Sequence, residues 1–192
     1  MKGKLFIIVG PSGSGKSSVL HKLMELKPNY VYPLSATTRP MREGEKDGDI
    51  YHFMTKEEFK KGIKEDMFLE WAIVHQDNYY GLIKGPIMKG LKEGKTIIRE
   101  VDIQGFDSIR KKIAPEDLVT IFVTVPNKEE LIERIISRAT ISLDELEKRK
   151  KSMHREFNRA KDCDYMVENK EGKLEETVKK VMKIIEDETK KV

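Results

Sequence analysis

The chain has 192 residues, of which 36% are charged and 38% hydrophobic, and a formal net charge of +4. That length suits one α/β core with room for an inserted lobe. The absence of an 18-residue apolar run and of a signal-peptide pattern argues against a membrane-spanning or exported chain. The single Cys163 rules out an internal disulfide and suits a reducing cytoplasm, where we expect the protein to work.

Residues 5–9 (LFIIV) read as a buried strand, and residues 18–26 (SVLHKLMEL) as a helix with apolar residues at helical spacing. Between them lies GPSGSGKSS, where Gly10, Gly15, Lys16 and Ser17 fit the phosphate-loop pattern G-x-x-x-x-G-K-[ST]. The loop Gly10, Pro11, Ser12, Gly13, Ser14, Gly15 turns tightly and aims successive N–H groups inward, toward a polyphosphate at the helix N-terminus. Lys16 is placed to reach the β- and γ-phosphates, and Ser17 to hold Mg²⁺.

Residues 33–82 break the alternation of strands and helices, with a loop, short polar strands and one helix at 56–65, and suggest an inserted antiparallel lobe. Within it, SATTRPMREGEKDGDIYHF (35–53) carries Arg39 and Arg42, whose forked guanidinium groups suit a bidentate grip on phosphate. In FLEWA (68–72), Glu70 sits in an apolar, aromatic strand, where an ionised carboxylate needs a partner. NYYG (78–81) follows. Beyond it, residues 96–102 and 118–125 read as buried strands, and 165–167 as a short one. Helices are expected at 85–92, 104–113, 127–138, 143–161 (from a Ser142-x-x-Glu145 capping box) and 174–189. Such alternation implies a parallel sheet with helices on both faces.

The chain resembles the guanylate kinase family over nearly its whole length. The residues that carry the likeness are GPSGSGKSS, the S-A-T-T-R-P-x-R-x-G-E stretch with Gly48 and Tyr51, FLEWA, NYYG, VDIQG (101–105), and a lid-like segment with Arg134, Arg138 and Arg149. The resemblance implies a phosphate-loop kinase fold: a core of residues 1–32, 84–125 and 157–192, a GMP-binding lobe at 33–83 and a lid at 126–156. It implies transfer of a phosphoryl group from ATP to GMP, with Mg²⁺ as cofactor, in purine nucleotide metabolism.

By the same resemblance Arg39, Arg42, Tyr51 and Tyr80 grip the GMP phosphate, while Glu70, Ser35 and Asp102 read guanine. Guanine offers N1–H and the 2-amino group side by side, and a carboxylate accepts both; adenine offers no such pair. Lys16, Arg39, Arg134, Arg138 and Arg149 are the expected charge-stabilising residues, and Asn169 the neighbour of adenine. Ser17 and Glu100, the latter through water, are the expected metal residues. Substrates GMP and ATP are the expected partners, with no nucleic acid and no membrane; dGMP use and oligomeric state stay open.

Two readings compete with the kinase. A non-catalytic interaction module of the same family typically lacks an intact phosphate loop, whereas Lys16 and Ser17 are present here. A phosphate-loop GTPase needs a guanine-reading N-K-x-D, which is absent. The chain also departs from the family pattern. Glu100 stands where an Asp is usual, Arg99 is foreign to a buried strand, SRAT replaces an R-G-T lid sequence, and Leu82 stands where a Ser or Thr contacts guanine. A hydroxyl restored at 82 is expected to lower KM for GMP; the competing expectation is that Leu82 packs into the lobe and a neighbouring group already bonds to the base.

Overall fold

The computed structural model describes residues 2–49, 51–74, 77–127, 129–132, 134, 153 and 156–191. Five apolar residues in a row, Leu5 to Val9, are fully buried and make β1 (Lys4–Val9) the central rod of the molecule. It is flanked on one side by β6 (Thr96–Glu100) and on the other by β7 (Leu118–Thr124), with β8 (Tyr165–Glu168) outermost. All three pairings are parallel, as unbroken apolar strands buried on both faces require.

Helices cover the two faces. Alternate residues of β1 divide between them: Leu5, Ile7 and Val9 join a core with Ile87 and Leu91 of α3 (Lys84–Lys92) and Phe106 and Ile109 of α4 (Ile103–Lys112). Phe6 and Ile8 join another with α1 (Lys16–Leu26) and α5 (Leu174–Lys190). In α5 the buried Thr177, Val178, Val181 and Ile185 line one helical stripe.

A second sheet, in the order β3-β2-β5-β4, forms a lobe beside the C-terminal ends of the core strands. It comprises β2 (Ser35–Thr37), β3 (Tyr51–Phe53), β4 (Phe68–Val74) and β5 (Asn78–Ile83), covered by α2 (Lys56–Lys64). The expectation of an antiparallel lobe needs correction at one edge: β5 pairs antiparallel with β2 and β4, but β3 runs parallel to β2. The connection from β2 to β3 is long enough to return the chain to the same end, so it is no hairpin. Thr55 and Glu58 form a reciprocal capping box that starts α2, and the lobe has its own core of Ala36, Phe59 and Phe68. Leu69 and Leu82, by contrast, belong to the main core, so the floor of the lobe is rooted in it.

The strand expected at 96–102 ends at Glu100; Asp102 instead caps α4, its carboxylate accepting from the Gly105 N–H at 2.7 Å. Residues 129–132 and 134 are helical, as expected for 127–138. The remainder of that helix, most of the 143–161 helix, its capping box, Arg138 and Arg149 lie outside the described residues.

Candidate active site

The phosphate loop is built by contacts that only glycine permits at two points. Gly10 has φ 150°, and a Cβ there would lie 2.0 Å from the Val123 carbonyl oxygen. Gly15 has φ 89°, and a Cβ would lie 2.2 Å from the Asn169 amide nitrogen. Gly15 also precedes α1 without a side-chain cap, so the first N–H groups of that helix face the loop. Lys16 folds across the loop, its ammonium donating to the Gly10 carbonyl at 2.7 Å and the Pro11 carbonyl at 3.0 Å.

Ser14 is fully buried, and its hydroxyl is the one buried side-chain polar atom without a partner among the described residues. An orphaned hydroxyl costs about 1–3 kcal/mol unless something fills the site. It marks the interior of the loop as shaped for a polar ligand. The Ser12 N–H meets the Glu156 carboxylate at 3.2 Å, so one loop donor already faces an anionic group.

Ser17 donates to the Glu100 carboxylate, 3.0 and 2.9 Å from its two oxygens. A hydroxyl and a carboxylate form a hard-oxygen pair suited to Mg²⁺, which keeps several waters and takes its other ligands from substrate phosphates. Among the described residues no group of three or more His, Cys, Asp or Glu could hold a metal by itself. The residues present fit an ion held jointly with a nucleotide.

A cleft of about 340 Å³ runs from Lys16 and Ser17 at the phosphate loop to Ser35, Tyr51, Glu70, Tyr80, Glu100 and Asp102. It thus brings together most of the residues expected to bind GMP. Glu70 is aimed into it by an irregularity in pairing: Phe68 pairs with Ile83 and Glu70 with Leu82, so β4 carries one extra residue, Leu69. Such bulges re-aim side chains beside functional sites. Gly105 at the start of α4 lets the helix close on this carboxylate, since a Cβ there would press within 3.3 Å of it. Burial and the neighbouring Asp102 push the Glu70 carboxyl up to about 7, against the opposing pull of Arg99 and the Leu82 N–H.

Arg39 lies at the other end of the lobe sheet. Glu45 holds its guanidinium by two bonds of 2.6 Å, and its charge sits 5.3 Å from the ring centres of both Tyr51 and Phe53. That pairing lowers the Glu45 carboxyl to about 2 and raises Arg39. Tyr51 and Tyr80 meet edge to face at 5.8 Å. Arg42 is exposed on the loop, and its backbone N–H donates to the same Glu45 at 2.8 Å.

A second cleft, of about 240 Å³, opens on the far side of the phosphate loop and is bordered by Gly13, Gly15, Ser18, Arg134, Asn169 and Gly172. The Asn169 amide is engaged internally: it donates to the Ser14 carbonyl at 2.8 Å and accepts from Thr177 at 3.1 Å. Asn169 thus shapes the phosphate loop while bordering this cleft. Arg134 donates to the Asn169 carbonyl at 3.1 Å.

Two departures singled out in the sequence find their places here. Leu82 has no exposed surface and packs in the main core, so a hydroxyl there would replace buried apolar contacts; the expected gain from restoring one is withdrawn. Arg99 is half-buried, lines the first cleft, and donates to the Ser35 hydroxyl at 2.9 Å. The sequence signal for it was an arginine in an otherwise apolar strand.

Comparison with known proteins gives a consistent result. A family model described as guanylate kinase matches residues 2–188. The guanylate kinase of Campylobacter jejuni strain RM1221 is 44% identical, over 90% of this chain and 84% of its own length. That of Onion yellows phytoplasma is 40% identical, over 97% of this chain and 95% of its own. The crystal structure of guanylate kinase from Anaplasma phagocytophilum superposes with a TM-score of 0.74 at 28% identity, covering 98% of this chain and 87% of that one.

Proposed function

This chain belongs to the guanylate kinase family, and from that premise we propose how its residues carry out the reaction. It transfers the terminal phosphoryl group of ATP to GMP, giving ADP and GDP. The observation that carries the assignment of roles is the single cleft joining Lys16 and Ser17 to Glu70 and Asp102. One substrate's phosphates and the other's base find their chemistry at its two ends.

GMP lies with guanine against Glu70, Ser35 and Asp102, and with its phosphate toward Tyr51, Tyr80, Arg39 and the exposed Arg42. Ionised Glu70 accepts from N1–H and the 2-amino group. The Asp102 carboxylate has one oxygen committed to capping α4 and keeps the other for the amino group. ATP lies with its phosphates on residues 10–17 and its base toward the cleft bordered by Asn169 and Gly172. Residues 33–83 act as the GMP-binding lobe, and residues 126–156, with Arg134, Arg138 and Arg149, as the lid. The reaction runs in the cytoplasm, in keeping with the lone Cys163.

No strong base is required. The second pKa of a phosphate monoester is about 6, so the attacking oxygen is already largely dianionic at pH 7. It forms a bond to the γ-phosphorus as the bond from that phosphorus to the β–γ bridging oxygen breaks, and ADP leaves. The protein's task is alignment and charge neutralisation. Lys16 leaves its loop carbonyls for the β- and γ-phosphates, and Ser17 with Glu100 would hold Mg²⁺. When bound, Mg²⁺ offsets charge on the transferring group.

ADP release coupled to a colour reaction, measured across GMP, dGMP, AMP, CMP and UMP with and without chelator, tests this assignment. GMP is expected to lead AMP by at least about 10³ in kcat/KM. Equal use of AMP, or full activity in chelator, would overturn it.

A further inference from the structure

Ser35, Leu82 and Glu70 are successive cross-strand partners on β2, β5 and β4, so their side chains stand in a row. The two outer members line the cleft, but the middle one contributes no polar atom and is buried in the main core. A guanidinium reaches this row from the other sheet. Arg99 lies next to last on β6, lines the same cleft, donates to Ser35 at 2.9 Å and acts electrostatically on Glu70.

We infer that Arg99 is a specificity-determining residue: it directs the Ser35 hydroxyl and presents donors to the 6-oxygen side of guanine, a role Leu82 has no atom to fill. The inference rests on the reading of this cleft as the GMP site.

A guanidinium has five donors and no acceptor. The bond between Arg99 and Ser35 therefore fixes the serine oxygen as acceptor and leaves its proton to point elsewhere. A base beside Ser35 meets an O–H donor and a cation, both complementary to the guanine 6-oxygen. Adenine places an amino group there, a donor facing donors. The two charges divide the base between them: Glu70 accepts along one edge, and Arg99 with Ser35 donates along the next. Arginine against guanine O6 and N7 is a frequent specific pairing in nucleic-acid recognition as well. Burial lowers the Arg99 pKa, while Glu100, Tyr51 and Glu70 favour its charged form.

Arg99→Leu and Arg99→Lys test the inference, beside Ser35→Ala and Glu70→Gln. Arg99→Leu is expected to raise KM for GMP about tenfold, the scale of a lost charge-assisted hydrogen bond. It should leave kcat and the KM for ATP within about twofold, and the inhibition constant of AMP unchanged or lower, because the lost donor faces an amino group in AMP. The double variant Ser35→Ala with Arg99→Leu should lose less than the two single losses multiplied. Arg99→Lys, which keeps a cation but not the fork, should fall between, and serves if the leucine variant is unstable. An unchanged KM for GMP in both Arg99 variants would overturn the inference, as would an equal loss for AMP, the mark of a phosphate contact. Failure of the underlying site reading is separately visible, since Glu70→Gln would then leave the GMP preference untouched.

Discussion

The pH dependence of GMP use provides a demanding test of Glu70. Burial, and after it the neighbouring Asp102, push its carboxyl up to about 7. Only the ionised form accepts both guanine donors, so GMP binding favours the carboxylate and releases a proton wherever Glu70 is protonated beforehand. Affinity must therefore rise with pH through 7 and level off above it. At pH 6 about one site in eleven is ionised, and at pH 8 about ten in eleven, so KM for GMP should fall about tenfold across that interval. Titration of the substrate's own phosphate, near pH 6, contributes about a further twofold. AMP carries that phosphate but no N1–H and 2-amino pair, so the ratio of its inhibition constant to KM for GMP isolates the Glu70 part. Steady-state kinetics at constant ionic strength, at half-unit steps from pH 6 to 8.5, supply both numbers. Glu70→Gln has no group to titrate and a single acceptor; its ratio should be small and flat. A flat ratio in the unmodified chain, or a slope that survives in Glu70→Gln, would refute the assignment of this carboxylate to the base.

Three other substitutions probe the loop and the lobe floor. Lys16→Met should retain the melting temperature within a few degrees and lose at least about 10³ in kcat, because no cation then offsets charge moving between the β- and γ-phosphates; a folded variant with near-normal turnover would contradict this. Gly10→Ala drives a methyl group into the Val123 carbonyl, a backbone wall that cannot yield locally. Calorimetry should show a loss of more than about 2 kcal/mol. Leu82→Thr removes buried apolar contacts and adds a buried hydroxyl, at about 2–5 kcal/mol. Its thermal midpoint should drop by about 5–15 °C with no fall in KM for GMP, whereas improved GMP use would revive the hydroxyl reading.

What could be read from the sequence was what is local. The phosphate loop is one contiguous stretch between a strand and a helix of unmistakable periods, and residues 5–26 formed as expected. Glu70 could be singled out because a carboxylate within an apolar strand signals its own anomaly. Arg99 carried the same kind of signal, yet its partner Ser35 is 64 residues away on another sheet, and no spacing rule connects them. Leu82 was misread because a family position was compared by residue type, whereas its burial depends on how the lobe sheet seats on β1 and α4. Asn169 was expected beside adenine, whereas the engagement of its amide with Ser14 and Thr177 depends on the packing of α5, which no local pattern records. The parallel pairing of β3 was hidden for a similar reason, since short strands carry little evidence of direction.

The extra residue in β4 means that substrate choice in this chain is partly a matter of counting. Because side chains alternate along a strand, Phe68 and Leu69 turn to different cores, and Glu70 reaches the cleft only from one place beyond regular pairing. Removing Leu69 would change no chemical group in the site. It would nonetheless take a buried side chain out of the main core directly beside the pair of Glu70 with Leu82, so the strand under the carboxylate would have to resettle. For this lobe the unpaired Leu69 ties the base pocket to the main core, and any redesign of the pocket has to preserve the number of residues between Phe68 and Glu70 before it alters their identity.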